Sequence, residues 1–125
     1  MLPIDLPKEI FKAYDIRGIV GKTLTPVIVE SIGRAIGSVA RERGVTEIVI
    51  GRDGRLSGPA LIDALGSGMR AAGTDTVDIG MVATPLVYYA AQALGPSASG
   101  VMVTGSHNPP DYNGLKMVQI GRAHV

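Results

Sequence analysis

Two hydrophobic patterns alternate along this chain: short apolar runs, and longer stretches in which apolar residues recur at helical spacing. The runs at residues 48–50 (IVI) and 100–103 (GVMV) are typical of strands buried inside a sheet. Residues 76–79 (TVDI) predict a further strand, which lies between them along the chain. Because a helical stretch separates each run from the next, the order indicates βαβ units and a largely parallel sheet.

The first predicted helix begins at Thr25 and Pro26. A threonine side chain can accept a free N–H at a helix start, and proline suits the first helical position. The predicted apolar face consists of Ile28, Ile32, Ile36 and Val39. Gly44 is placed to end this helix.

Two more helices follow with similar signals. The second opens at residues 57–59 (SGP) and closes at Gly73. Its predicted apolar face consists of Leu61, Leu65, Met69 and Ala72. The third repeats the cap-plus-proline signal at Thr84 and Pro85 and stops at Gly95.

The two ends of the chain are less regular. Residues 11–18 (FKAYDIRG) can form an extended piece that ends in a turn, and residues 115–118 (LKMV) begin another strand. That strand meets residues 120–125 (IGRAHV), which follow no pattern and which a widely used sequencing adapter encodes in one frame. We therefore expect one domain over residues 1–119, truncated at its C-terminal end, and a non-native tail over residues 120–125.

These elements predict an α/β fold with three layers, helix–sheet–helix, around a mostly parallel (mixed) sheet. The composition agrees, since 46% of the residues are hydrophobic, 17 are glycine and only 4% are aromatic. Aliphatic and small residues must then fill the core, as they do in sheets covered on both faces.

Charge and composition exclude several classes of function. The net charge is +1, without a basic stripe interleaved with aromatic residues, so nucleic acid is not an expected partner. No apolar run approaches the roughly 18 residues of a membrane span. The chain has no cysteine and no signal-peptide pattern at its start, which favours a cytoplasmic location.

The chemistry-bearing segment is residues 104–114 (TGSHNPPDYNG), directly after a predicted strand. Ligands bind at the carboxyl ends of strands in open α/β sheets, so Ser106 is a candidate nucleophile. A serine hydroxyl needs a base, a metal or a phosphoryl group to become reactive, and His107 is poorly placed because adjacent strand residues point in different directions. A plain turn, with Asn108 and Asp111 satisfying backbone groups, is an equally good interpretation of this motif alone.

Several cationic residues accompany this loop. Lys116 could reach a phosphate or act as an acid or base, or it could simply be solvated. Arg17 could bind phosphate through its guanidinium fork, or it could pair with Asp15. A structural ion-pair role is favoured for three residues after the first buried strand: Arg52, Asp53 and Arg55. No spacing of acidic or histidine residues typical of a metal site is present.

Three motifs in this order resemble the N-terminal domain of the α-D-phosphohexomutases. They are residues 14–18 (YDIRG), 104–109 (TGSHNP) and 113–116 (NGLK). The GRDGR at residues 51–55 and the Thr-Pro at residues 84–85 fall where that family has similar elements. Within the family, residues 12–18 (KAYDIRG) and 105–114 (GSHNPPDYNG) resemble the bacterial phosphomannomutase/phosphoglucomutase branch.

The resemblance implies an intramolecular phosphotransferase that interconverts hexose 1-phosphate and hexose 6-phosphate of mannose or glucose. Ser106 would carry the phosphoryl group and give it to the sugar, which becomes a bisphosphorylated intermediate. Mg²⁺ would bind the phosphoserine oxygens of Ser106. The family has four domains around one cleft, and this chain holds most of the first, so the other metal ligands are absent and the chain alone is expected to be inactive.

The resemblance also implies roles for the surrounding residues. Lys116 and Arg17 would lie beside the transferring group, with Lys116 or a neighbour in acid/base work. His107 and Asn108 would contact the phosphoryl oxygens, and Tyr14 would line the cleft. The implied partners are hexose phosphates, including the 1,6-bisphosphate, and the remaining domains of the same full-length protein.

Two other classes of function are weighed against this one. A non-catalytic domain could bind a sugar phosphate or a partner chain without carrying phosphate on Ser106. A serine hydrolase is disfavoured because neither a Gly-x-Ser-x-Gly elbow nor a triad is present.

Overall fold

The computed structural model describes residues 11–12, 15–105 and 112–118. Within these residues the elements follow one another as β1 (Phe11–Lys12), β2 (Asp15–Ile19), α1 (Pro26–Glu42), β3 (Glu47–Arg52), α2 (Gly58–Ala71), β4 (Asp75–Met81), α3 (Thr84–Leu94), β5 (Ala98–Val103) and β6 (Tyr112–Val118). Each predicted helix and strand is present, and the extended N-terminal piece forms β1 and β2.

The strands of the described residues form one mixed sheet with the order β1-β2-β6-β5-β3-β4. Strands β4, β3 and β5 run parallel, whereas β5–β6, β6–β2 and β2–β1 pair in antiparallel fashion. The predicted α/β class with a mixed sheet is confirmed, and its parallel part is the block β4-β3-β5. Strand β6 runs antiparallel to β5 because residues 104–111 are too few for the crossover of a dozen or more residues that parallel pairing needs.

Helices cover both faces of this sheet, which confirms the three predicted layers. Helices α1 and α2 pack on one face, against residues such as Ile48, Ile50 and Val101. Helix α3 packs on the other face, where Val87 and Ala91 meet the inner strands. Because side chains alternate along a strand, neighbouring residues of β3 and β5 contribute to opposite cores.

The start of α1 follows the predicted cap. The Thr25 hydroxyl accepts a hydrogen bond from the Ile28 N–H at 3.2 Å. The predicted apolar face is wrong in one respect, since Val39 is 39% exposed. The buried face consists of Val29, Ser31, Ile32, Gly33, Ile36, Gly37 and Ala40. It is rotated because the two glycines of α1 lie against α2, where the helices approach closely.

Replacing Thr25 by alanine is expected to lower the free energy of unfolding by about 1 kcal/mol, because a helix N–H loses its side-chain acceptor. Urea unfolding of the chain and the variant measures this difference. The control is Ser38→Ala, on the exposed face of the same helix, which should change the value by less than about 0.5 kcal/mol. Equal effects of the two substitutions would contradict the cap.

The starts of the other two helices have no side-chain cap of this kind. Thr84 is the first residue of α3 and Ala83 occupies the cap position, so that prediction is one residue off. Ser57 lies at the cap position of α2 but makes no capping hydrogen bond. The predicted glycine stops are confirmed, since the glycines after the three helices, Gly44, Gly73 and Gly95, have φ angles of 79°, 91° and 102°.

Across the part of the chain that the structure describes, no helix combines the length and the apolar character that crossing a membrane requires.

Candidate functional site

The candidate site lies at the edge of the sheet where the three parallel strands end. Two backbone hydrogen bonds join the loops that leave this edge. The Asp53 N–H donates to the Val103 carbonyl oxygen at 3.0 Å, and the Val82 N–H donates to the Arg52 carbonyl oxygen at 2.9 Å. The segment that leads to Ser106 therefore starts from a fixed part of the sheet, at the carboxyl edge that the sequence predicts.

The Asp53 carboxylate holds the start of this segment. Its Oδ2 atom accepts hydrogen bonds from the Thr104 hydroxyl at 2.8 Å and from the Gly105 N–H at 3.1 Å. Its Oδ1 atom accepts the Arg55 N–H at 3.1 Å, and the Arg55 Nε atom lies 3.5 Å from Oδ2. The predicted structural ion pair is confirmed for Asp53 and Arg55. Among the described residues, Arg52 takes part in no ion pair.

The far end of the same segment is held by a second polar contact. The Asn113 side-chain amide donates to the Ser57 hydroxyl at 2.8 Å, and its carbonyl oxygen accepts the Gly114 N–H at 2.9 Å. Asn113 is only 1% exposed, so a buried polar group is satisfied here by side chain and backbone together. Residues 53–57 thus contact both flanks of the Ser106 segment.

Gly105, immediately before Ser106, is buried under the Arg55 side chain. A Cβ atom at this position would overlap the Nε and Cζ atoms of Arg55 and would lie 2.7 Å from its Nη2 atom. A glycine at this position therefore allows the Arg55 side chain to lie against the backbone that precedes the serine.

Strand pairing brings the two cationic candidates, Arg17 and Lys116, onto neighbouring strands. Arg17 in β2 lies opposite Gly114 in β6, and Lys116 lies opposite both Asp15 of β2 and Met102 of β5. Lys116 is half-buried. Because positions two residues apart on a strand are separated by about 7 Å, the register places both backbones close to the end of β5.

The remaining predicted site residues lie outside the described residues. They are Tyr14, Ser106, His107 and Asn108. Their roles stay predictions, as does the contact of Lys116 and Arg17 with a phosphoryl group.

The charges at this end of the sheet favour an anion. Among the side chains described there, the cationic Arg52, Arg55 and Lys116 outnumber the acidic Asp53. Within the described ranges, no group of three histidine, cysteine, aspartate or glutamate residues could hold a metal ion.

Sequence reasoning missed the contacts between Asp53 and Thr104 and between Ser57 and Asn113. These pairs are 51 and 56 residues apart in the chain. Local pattern carries no signal for such pairs. The parallel pairing of β3 with β5 brings Asp53 to Thr104, and the antiparallel pairing of β5 with β6 adds Asn113 at the same edge.

A three-layer α/β/α domain that holds both flanks of a polar segment at the carboxyl edge of its sheet is typical of domains that bind a ligand or catalyse a reaction there. Residues 8–122 match the model of the family described as "Phosphoglucomutase/phosphomannomutase, alpha/beta/alpha domain I". The chain belongs to this family, and the resemblance drawn from its motifs is confirmed.

Individual relatives agree with this assignment. The chain is 57% identical over 116 residues to a phosphomannomutase/phosphoglucomutase of Pseudomonas aeruginosa, covering 93% of this chain and 25% of the relative. It is 56% identical over 113 residues to a phosphoglucomutase of Neisseria meningitidis, covering 90% of this chain and 24% of the relative. The chain spans about a quarter of the length of these curated relatives.

A solved structure shows the same fold. A phosphoglucomutase/phosphomannomutase family protein from Burkholderia thailandensis superposes with a TM-score of 0.85 at 55% identity, over 94% of this chain and 27% of that one.

Proposed function

We propose that this chain is the first domain of a phosphohexomutase, the domain that carries the phosphoryl group on Ser106. The observation that carries the proposal is that Asp53, at the carboxyl edge of the sheet, accepts hydrogen bonds from the two residues directly before Ser106. The chain also belongs to the phosphoglucomutase/phosphomannomutase family. The substrates proposed are mannose and glucose 1- and 6-phosphates, together with their 1,6-bisphosphates.

The proposed reaction has two phosphoryl transfers. A hydroxyl oxygen of the sugar phosphate attacks the phosphorus on Ser106 and gives its proton to a base. The bond from phosphorus to the serine Oγ breaks, and the Oγ atom takes up a proton to become a free hydroxyl. The product is a sugar bisphosphate. The serine Oγ then attacks the other phosphorus and gives its proton to a base, the bond from that phosphorus to the sugar oxygen breaks, and the sugar oxygen takes up a proton. Phosphate has then moved between C1 and C6.

The chain's own cations support these transfers in the proposal. Arg17 and Lys116 offset the charge of the transferring group, and Lys116 or a neighbour exchanges the sugar proton. His107 and Asn108 contact the phosphoryl oxygens, and Tyr14 lines the cleft. A serine that already carries phosphate need not be deprotonated to start the cycle, which answers the activation problem of a lone hydroxyl.

In the proposal, the phosphoryl oxygens on Ser106 are ligands of Mg²⁺, which would offset their negative charge. The described residues do not by themselves make a magnesium site. They contain no cluster of three potential metal ligands, and the Asp53 carboxylate is engaged by Thr104, Gly105 and Arg55. The other ligands are proposed to lie in the remaining domains of the full-length protein.

The decisive experiment asks whether Ser106 carries phosphate. The complete gene product is purified from its native host, or treated with glucose 1,6-bisphosphate and Mg²⁺, and its peptides are analysed by mass spectrometry. We expect one phosphoryl group on Ser106. A serine that stays unmodified in both preparations would contradict the proposed function and favour a domain that only binds sugar phosphate or a partner.

The 125-residue chain by itself is expected to have no mutase activity, since the site is proposed to be completed by other domains. The measurement is conversion of mannose 1-phosphate by the purified chain, with the Ser106→Ala variant as the control. Turnover above that control would contradict this expectation.

The domain boundaries are part of the same proposal. We propose that residues 1–119 are the incomplete first domain and that residues 120–125 are not native. The cytoplasmic location also stays a prediction. Sequencing the source gene past the codon for Val118 tests the boundary. A frame that continues into several hundred codons with a different residue 120 supports the proposal, whereas genomic codons for residues 120–125 contradict the tail.

A further inference from the structure

One short loop contacts both ends of the segment that contains Ser106. This β3–α2 loop (residues 53–57) begins with Asp53 and ends with Ser57. Asp53 accepts hydrogen bonds from Thr104 and Gly105 on one side of residues 106–111. Ser57 accepts a hydrogen bond from Asn113 on the other side.

The β3–α2 loop is itself fixed to the sheet. The Asp53 N–H donates to Val103 at 3.0 Å, which extends the pairing of β3 with β5 by one residue. Inside the loop, the Arg55 N–H donates to Asp53 Oδ1 and the Gly58 N–H donates to the Arg55 carbonyl oxygen at 3.0 Å. These hydrogen bonds join the loop to β5 at its start and close it on itself, so its contacts with Thr104, Gly105 and Asn113 are made from a loop that is attached to the sheet.

The charge of Asp53 is informative. A carboxylate close to a phosphorylated serine is electrostatically unfavourable, so its presence at this position needs a compensating role. Its oxygens accept an O–H and two N–H donors, and Arg55 lies beside it. Hydrogen bonds to a carboxylate are roughly twice as strong as neutral ones. These donors leave Asp53 suited to holding backbone in place and poorly suited to acting as a base.

We propose that Asp53 is a positioning residue for phosphoryl transfer, and that the β3–α2 loop fixes the two chain ends between which Ser106 is presented. This inference rests on the proposed function of Ser106. Asp53 acts through Thr104 and Gly105 and does not touch the substrate. Because the geometry of a transferring group tolerates little error, a displacement of about 1 Å can cost about a hundredfold in rate.

The test is Asp53→Asn in the complete gene product. An asparagine of the same shape keeps one acceptor oxygen, but its NH₂ group must face donors at the other position, either Thr104 and Gly105 or Arg55. We expect kcat to fall about ten- to hundredfold with KM changed less than about threefold, since binding of the distant parts of the sugar is untouched. The ³¹P resonance of the phosphoserine should also shift.

Two further variants control for charge and for folding. Asp63→Asn removes the same charge from an exposed position on α2, and it should leave kcat and the ³¹P resonance unchanged. Thr104→Val removes the hydroxyl donor to Asp53 while keeping the shape, and it should reproduce part of the fall in kcat. It replaces the first test if Asp53→Asn does not fold.

The outcomes separate the two proposals. If the wild type is active and Asp53→Asn changes kcat per folded molecule by less than twofold, only the positioning role is contradicted. The same holds for Thr104→Val where that variant replaces Asp53→Asn. A wild type without mutase activity contradicts the proposed function itself. A fall in kcat with unchanged KM and a shifted ³¹P resonance, absent from Asp63→Asn, supports the positioning role.

Discussion

Replacing Ser106 by alanine in the complete gene product is expected to lower mutase turnover by at least about a thousandfold. The variant has no oxygen at this position to carry the phosphoryl group, so neither transfer can occur through the enzyme. Removing a covalent nucleophile typically leaves only the residual effect of binding and electrostatics. Substrate binding should be retained, because the surrounding cations are still present.

The measurement is conversion of glucose 1-phosphate to glucose 6-phosphate in the presence of the 1,6-bisphosphate and Mg²⁺. Ser38→Ala is the matched control, since it makes the same chemical change on the exposed face of α1 and should leave turnover as it is. Turnover of the Ser106→Ala protein above a tenth of the wild-type value would show that phosphate does not pass through this serine.

Local signals in the sequence predicted most of the elements correctly. The Thr25 cap begins α1 as expected, because an N-cap hydroxyl and its N–H partner lie within one turn. The error at Thr84, where Ala83 takes the cap position, has a similar local origin. A threonine before a proline fits both the cap and the first helical position, and the pattern does not choose between them.

Long-range contacts could not be predicted in this way. The face of α1 that packs against α2 was misplaced at Val39, because helix contact is decided by the glycines of both helices and not by apolar spacing in one of them. The ion pair of Asp53 with Arg55 was predicted, since these residues are two apart. The hydrogen bonds of Asp53 to Thr104 and Gly105 were not, since they depend on β3 and β5 being neighbours.

The candidate site shows the same division. Motif resemblance predicts roles for Ser106, Arg17 and Lys116, and the sheet register places Arg17 and Lys116 on adjacent strands. The support for the segment comes from residues 53–57, for which the sequence predicts only a structural ion pair and the start of a helix. Of these, Ser57 lies at the predicted helix start, and its hydroxyl accepts a hydrogen bond from Asn113.

The largest expected effect on stability comes from the contact between α1 and α2. Gly68 of α2 lies against the backbone of α1, and a Cβ atom there would overlap the Glu30 carbonyl oxygen and lie 2.8 Å from the Arg34 nitrogen. A Cβ atom at Gly33 of α1 would likewise overlap the Leu65 carbonyl oxygen. Backbone atoms cannot rotate away as a side chain can, so a methyl group at Gly68 forces the helices apart.

Gly68→Ala is therefore expected to lower the free energy of unfolding by about 3 kcal/mol, since overpacking exceeds the gain in helix propensity. Gly66→Ala, two residues earlier in α2, is the matched control. Its Cβ would meet mainly the flexible end of Arg70, with Ile50 Cδ1 at 3.4 Å, so this variant should be neutral or more stable by up to about 1 kcal/mol. Urea unfolding of both variants measures the difference. Equal stabilities would mean that the two helices can separate at this crossing without loss, and that the glycine contact does not determine how they pack.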